Sequence, residues 1–227
     1  MIYVTGDMHG DIERFRSKAL RKLKKNDYLI VCGDFGFLWD DSKKERKLLK
    51  WIGKRRYHVL FLEGPHDNLE LLSQYPATAW NGGIVREISG RLKHLCRGGV
   101  FQLEDKDIFV FGGGESEDTD TRTQGKTWWK EELPAPEEIQ KARENLARHN
   151  NAVDYIITHQ CSWQIKKFLT MEDNDISVLD AFLDEVRGQC TYKRWFFGSY
   201  HINKQIPPRE VALFSSVVAI IENKLPR

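Results

Sequence analysis

The sequence predicts an α/β fold, on two observations. Three times in the first third of the chain, a short apolar run leads through a polar turn into a segment of helical apolar spacing. Each of those runs ends in glycine beside aspartate, histidine or both: Gly6-Asp7-Met8-His9-Gly10, Gly33-Asp34 and Gly64-Pro65-His66-Asp67. Ligands in α/β folds bind at the carboxyl ends of strands, so the pattern that predicts the fold also predicts where chemistry sits.

Residues 2–5 read as a buried strand. Residues 12–23 carry Ile12, Phe15, Ala19, Leu20 and Leu23 at helical spacing. Their other face is Arg14, Arg16, Lys18, Arg21 and Lys22, running into Lys24 and Lys25. That face reads as solvated, with nucleic-acid contact as the alternative. Asn26-Asp27 is a turn, and 28–32 a second buried strand. Residues 42–51 form a helix, with Ser42 as N-cap and Glu45 at the capping-box position. Residues 57–62 are a third strand, and 69–72 lie in a short helix. From about Trp80, glycine pairs punctuate short runs at 84–88, 92–96, 100–103 and 108–111, which predicts hairpins. Gly112-Gly113-Gly114 opens a polar stretch reaching residue 136, either a surface loop or a flap over a site. Within it, Trp128-Trp129 read as core anchors in preference to a stacking platform. A charged helix over 137–149 precedes a strand at 153–158, which ends at His159. Helices follow at 163–171 and 176–186, then a strand at 195–197 ending in Gly198-Ser199-Tyr200-His201, and a tail of paired strands at 211–222. No repeat or linker divides the chain, so one domain over residues 1–227 is the expectation.

Composition narrows the function classes. With 35 basic against 33 acidic residues among 227, no global field directs the chain to nucleic acid or a membrane. No run is long enough to cross a bilayer. Cys32, Cys96, Cys161 and Cys190 are scattered without CxxC spacing and read as reduced, small core residues. The N-terminus enters a strand at residue 2 without a basic-then-apolar leader, and a cytoplasmic protein is expected.

Strand ends offer Asp7, His9, Asp34, His66, His159 and His201. In extended backbone, residues i and i+2 point to one side, so Asp7 and His9 can grip one cation. Taken alone, the first block also reads as a helix start capped by Asp11, and any single histidine as a satisfied core residue. Four of the seven histidines stand at such strand ends; His58, His94 and His149 do not, and read as ordinary surface or core residues. Mixed Asp and His ligands suit Mn, Fe, Zn or Ni better than Mg or Ca. A carboxylate such as Asp34 can bridge two cations about 3.5–4 Å apart, the arrangement used for phosphoester hydrolysis.

In order and spacing these blocks resemble the calcineurin-like metallophosphoesterases over nearly the whole chain. Supporting segments (Trp80-Asn81-Gly82-Gly83, Trp128-Trp129-Lys130-Glu131-Glu132-Leu133-Pro134 and Asp154-Tyr155-Ile156-Ile157-Thr158-His159) are similar to small bacterial members that lack an added domain. The resemblance implies a four-layer sandwich of two facing mixed β-sheets flanked by helices, with a two-metal site at the strand ends. It implies that Asp7, His9, Asp34 and His201 hold the first metal, that Asp34 bridges, and that His159 serves the second. It implies that His66 protonates the leaving oxygen or clamps the phosphate.

Three departures stand out. Pro65 occupies the position of a family asparagine, and Ser199 that of a family histidine; both missing residues are ligands of the second metal. Glu63 stands where the protein phosphatases of this superfamily carry arginine. The losses spare the first metal, so the expectation is one firmly bound divalent cation, Mn foremost, with a second weak or absent. The leading function is hydrolysis of a small phosphomonoester or phosphodiester at reduced efficiency. The alternatives are a protein of the same fold that holds one metal and a phosphorylated ligand without turnover, and a nucleic-acid-processing phosphodiesterase using the basic helix. Substrate specificity is expected from the loops 112–136 and 161–175.

Overall fold

The structure is a computed structural model that describes residues 1–116, 119–171 and 175–220. Its first half alternates strands and helices: β1 (Ile2–Thr5), α1 (Ile12–Phe15), α2 (Lys18–Arg21), β2 (Tyr28–Val31), α3 (Lys43–Gly53), β3 (His58–Phe61) and α4 (Leu69–Ser73). Hairpin strands follow: β4 (Ala77–Trp80), β5 (Gly83–Ser89), β6 (Leu92–Leu95), β7 (Val100–Leu103) and β8 (Lys106–Phe111). The remainder is α5 (Pro136–Arg148), β9 (Tyr155–Thr158), α6 (Trp163–Thr170), α7 (Val178–Gln189), β10 (Arg194–Phe197), β11 (Lys204–Ile206), β12 (Glu210–Ala212) and β13 (Val217–Ala219).

The strands make two mixed sheets. One runs β13-β1-β2-β3-β6-β5-β4 and the other β11-β12-β10-β9-β8-β7. The centre of each is parallel: β1, β2, β3 and β6 in the first, and β12, β10, β9 and β8 in the second. Alternation along the strands divides the core into three slabs. Ile30, Cys32 and Leu60 of the first sheet meet Ile108, Val110, Ile157 and Phe196 of the second. The opposite face of the first sheet (Leu29, Val31, Val59, Phe61) packs on Phe15, Leu20, Leu49 and Ile52 of the helices α1 to α3. That of the second sheet (Phe109, Phe111, Ile156, Trp195) packs on Ala142, Leu146, Ile165, Phe182 and Leu183 of α5 to α7. The result is the expected four-layer sandwich of two mixed sheets flanked by helices. Strands buried on both faces read as continuous apolar runs, which is why they were conspicuous in the sequence.

Three local expectations are corrected. The helix read over 12–23 is two single-turn pieces, because Ser17 takes extended backbone and its hydroxyl accepts from Leu20 N–H, starting a new helix. The capping box at Ser42 is half made: Ser42 Oγ accepts from Glu45 N–H, but the Glu45 carboxylate instead accepts from Trp39, Asp40 and Asp41 N–H. The tail strands do not pair with each other. β12 joins β10 and β11 in one sheet, while β13 crosses to lie antiparallel to β1 in the other. Residues 221 and 222 of that predicted tail lie outside the described residues. Among those described, no helix is long and apolar enough to cross a membrane.

Candidate metal centre

All six sequence-predicted residues converge where the parallel strands of both sheets end. Asp7 and His9 follow β1, Asp34 follows β2, His66 follows β3, His159 follows β9 and His201 follows β10. Asp34 is the hub. Its Oδ2 lies 2.9 Å from His66 Nδ1 and 3.9 Å from His9 Nε2, and its Oδ1 lies 3.8 Å from His159 Nε2. Asp7 is the second anchor, with Oδ1 3.7 Å from His159 Nδ1 and Oδ2 3.3 Å from His201 Nε2. His9 Nε2 and His201 Nε2 face each other at 2.8 Å.

The backbone pays a conformational penalty to make this cluster. His9, Asp34, Ser199 and His201 all have positive φ, at 46°, 42°, 68° and 50°. L-residues rarely adopt that region, and such outliers concentrate at functional sites. The kinks are held by hydrogen bonds: Met8 and His9 N–H both donate to Asp34 O, and Ser199 N–H donates to both Asp7 carboxylate oxygens. Two of the motif glycines are explained by close approach. A Cβ on Gly198 would overlap the Asp7 carboxylate, and one on Gly64 the Asp34 carboxylate.

Electrostatics divides the two carboxylates. Burial pushes the Asp7 pKa up, and Asp34 adds to the rise; His159 and the Ser199 N–H oppose it without cancelling it. Burial pushes Asp34 the same way, but the charge of His159 and the hydrogen bonds from His66 outweigh burial and hold it well below the usual carboxylate range. Burial disfavours charge on His159, yet Asp34 and Asp7 more than compensate, and its pKa lies above the ordinary value. His9 moves down, chiefly through burial. His66 moves up, chiefly through its hydrogen bond to Asp34. The bond from His159 Nδ1 to Cys32 O, 3.0 Å, fixes Nδ1 as the donor and leaves Nε2 facing Asp34.

Three overlapping donor sets arise: Asp7 with His9 and His201, His9 with Asp34 and His66, and Asp7 with Asp34 and His159. Within each, the candidate ligand atoms lie within 4.8 Å of one another. The donors fit a divalent cation. Two imidazole nitrogens that point at each other can share at most one proton, and two buried carboxylates want positive charge. Oxygen and imidazole donors together suit a borderline metal.

The chain matches the calcineurin-like phosphoesterase family over residues 1–198. It belongs to that family. Members are metal-dependent hydrolases of phosphoesters, and the clustered Asp and His groups described above accord with that chemistry. No curated protein matches the chain. A solved structure from Aquifex aeolicus, the protein of unknown function AQ665, is similar at 18% identity with a TM-score of 0.36, covering 72% of this chain and 80% of that one.

A Cβ on Gly114 would touch both the Pro65 ring and the edge of His159, so an apolar ring stands beside that imidazole. From the 112–136 stretch, read as either a surface loop or a flap, Arg122 reaches His66, with Nη2 3.1 Å from Nε2. Trp129 is the core anchor, buried and edge-on to Trp39 at 5.7 Å between centroids, while Trp128 is only half-buried.

The sequence reading of Arg14 as part of a solvated face is corrected. Its guanidinium lies beneath the site, donating to Asp7 O, to Thr5 Oγ1 at 2.7 Å and to Phe214 O at 2.6 Å. It pins the Asp7 backbone from below. A run of basic residues concealed it, since nothing in local spacing separates Arg14 from its exposed neighbours. Glu63 is likewise buried, where His94 Nε2 and Arg97 Nε both bond its carboxylate.

Proposed function

We propose that this protein hydrolyses a small phosphomonoester or phosphodiester at a centre built on one firmly held divalent cation. The observation that carries the reading is the convergence of Asp7, His9, Asp34, His66, His159 and His201 from both sheets on Asp34 and Asp7. Asp7, His9, Asp34 and His201 would hold the first cation. Asp34 and His159 would offer a second position, weakened because Pro65 has no ligand atom and Ser199 only a weak neutral one. Mn is the metal proposed first, with Fe, Zn and Ni compatible with the same donors. When bound, such a cation neutralises phosphoryl oxygens and lowers the pKa of a water ligand.

The chain's own groups do the rest. Asp34 fixes the His66 ring through Nδ1, so that Nε2 faces outward, toward Arg122. That orientation places His66 Nε2 where it could pass a proton to a leaving oxygen. Arg14 and the Ser199 N–H hold Asp7 in place.

A second reading follows from Pro65 and Ser199: a binder that retains one cation and a phosphorylated ligand without turnover. Metal analysis together with hydrolysis of 4-nitrophenyl phosphate and bis(4-nitrophenyl) phosphate in Mn separates the two. One tight equivalent per chain and turnover support the hydrolase. One equivalent without turnover, with activity appearing after Pro65→Asn and Ser199→His together, supports the binder. Two tight equivalents in the unaltered protein would sink the one-cation reading.

A further inference from the structure

We infer that Arg122 binds the phosphoryl group of the substrate, supplying positive charge from the loop on the side where Pro65 and Ser199 remove metal ligands. The inference rests on the one-cation reading above and names a residue that motif spacing does not reveal.

Position comes first. Arg122 Nη2 is 3.1 Å from His66 Nε2, and His66 Nδ1 is 2.9 Å from Asp34 Oδ2. The guanidinium therefore stands one imidazole ring away from the carboxylate at the hub. It faces the outward nitrogen of that ring.

The arginine is also held in place. Its Nη1 donates to Ser116 Oγ at 2.9 Å, and Ser116 Oγ donates to Glu132 Oε2 at 2.6 Å. Glu132 is buried, and its other oxygen accepts from Trp129 N–H at 3.0 Å. Arg97 Nη2 in turn donates to the carbonyls of Glu131 and Glu132, at 2.7 and 3.2 Å. Arg122 is thus tied through Ser116 and Glu132 to the core, which favours a preset position over a wandering surface side chain.

Chemistry supplies the ligand class. A guanidinium keeps its charge at every relevant pH and offers a planar fork that matches phosphate oxygens. A phosphoryl group would meet this fork in a charge-assisted pair, which is stronger than a contact with a ring nitrogen. Charge at this point offsets what a poorly held second cation would have contributed to neutralising the phosphoryl oxygens.

The test is calorimetric titration of Mn-loaded protein with inorganic phosphate, with Mn content and the thermal midpoint measured on the same samples. Arg122→Gln is expected to weaken phosphate binding by about 10- to 100-fold while leaving Mn content unchanged. Arg122→Lys should fall between the two, because it keeps the charge and loses the fork. Phosphate affinity in Arg122→Gln within about threefold of the unaltered protein, at equal Mn content, would overturn the inference. So would a loss that tracks a lower thermal midpoint and that Arg122→Lys does not relieve, since that marks a purely structural role. Phosphate bound through Arg122 without hydrolysis of either nitrophenyl ester supports the inference and refutes the hydrolase reading. No phosphate binding by the unaltered protein refutes the inference, and turnover of the nitrophenyl esters in the same sample would leave the hydrolase reading standing.

Discussion

Replacing Glu63 by glutamine removes the anion bonded to both His94 Nε2 and Arg97 Nε, in a place where water cannot substitute: all three side chains are at most 6% exposed. The charge of Arg97 and the bond from His94 outweigh burial and hold Glu63 at about 2, while Glu63 overcomes the cost of burial and lifts His94 to about 9. The two shifts describe one interaction and are counted once. A rise from 6.5 to about 9 corresponds to about 3 kcal/mol at about 1.4 kcal/mol per unit. Because the folded pKa of His94 is raised, its contribution is complete below pH 6.5 and is lost as pH rises through about 9. The Glu63 contribution has the opposite sense, complete above pH 4.5 and lost as pH falls through about 2. The pair thus contributes most between pH 4.5 and 6.5. Glu63→Gln leaves the buried His94 without its anion, while Arg97 keeps Glu138 and the Glu131 and Glu132 carbonyls; breaking a buried pair from one side costs about 3–5 kcal/mol. Against a usual domain stability of about 5–15 kcal/mol, this is a large loss. Urea unfolding of both proteins from pH 5 to 9.5 reads the difference directly. The gap should be widest near pH 6 and narrow by about 3 kcal/mol toward the alkaline end, leaving the Arg97 share. A gap below about 1 kcal/mol, or one that does not change with pH, would refute the assignment of a buried His94 imidazolium on Glu63.

Three further outcomes are expected. Arg14→Met should lower metal affinity by about 10- to 100-fold without touching a metal ligand, because it frees the Asp7 backbone; unchanged metal retention on dialysis would count against that role. His66→Gln should lower turnover by about 10²- to 10⁴-fold with metal content intact. Loss of metal instead would make His66 a ligand, through its set with His9 and Asp34. Gly198→Ala should displace the Asp7 carboxylate and weaken the first cation by at least about tenfold, read as faster metal release to a chelator; release at the unaltered rate would show that the loop absorbs the methyl group.

Much of the centre was legible because its residues sit at strand ends. A buried parallel strand is a short apolar run, and the polar residue that stops it is the one delivered to the ligand-binding edge. Asp7, Asp34, His66, His159 and His201 were found by that logic, and His9 by its position two residues from Asp7. The same logic is blind to Arg14 and Arg122. Arg14 lies in a basic stretch, where its neighbours Arg16 and Arg21 stay exposed and it alone turns under Asp7. Arg122 lies in a polar loop without periodicity, and its target, His66, is 56 residues away in the chain.

The tail shows the same limit on the scale of the fold. Residues 211–219 advertise two strands through β-branched and apolar runs, and both strands exist. Which sheet each one enters is decided by where open edges remain: β12 fits beside β10, and β13 beside β1. From its amino-acid order alone this protein declares its α/β class, its strands and the acid and imidazole groups at their tips, because those are properties of short stretches and of their alternation. Tertiary structure alone decides which charges are buried, as with Glu63 on His94 and Arg97, which arginines reach the centre, and how the strands are shared between the sheets. Those outcomes depend on the desolvation and geometry of partners far apart in the chain, which no local pattern encodes.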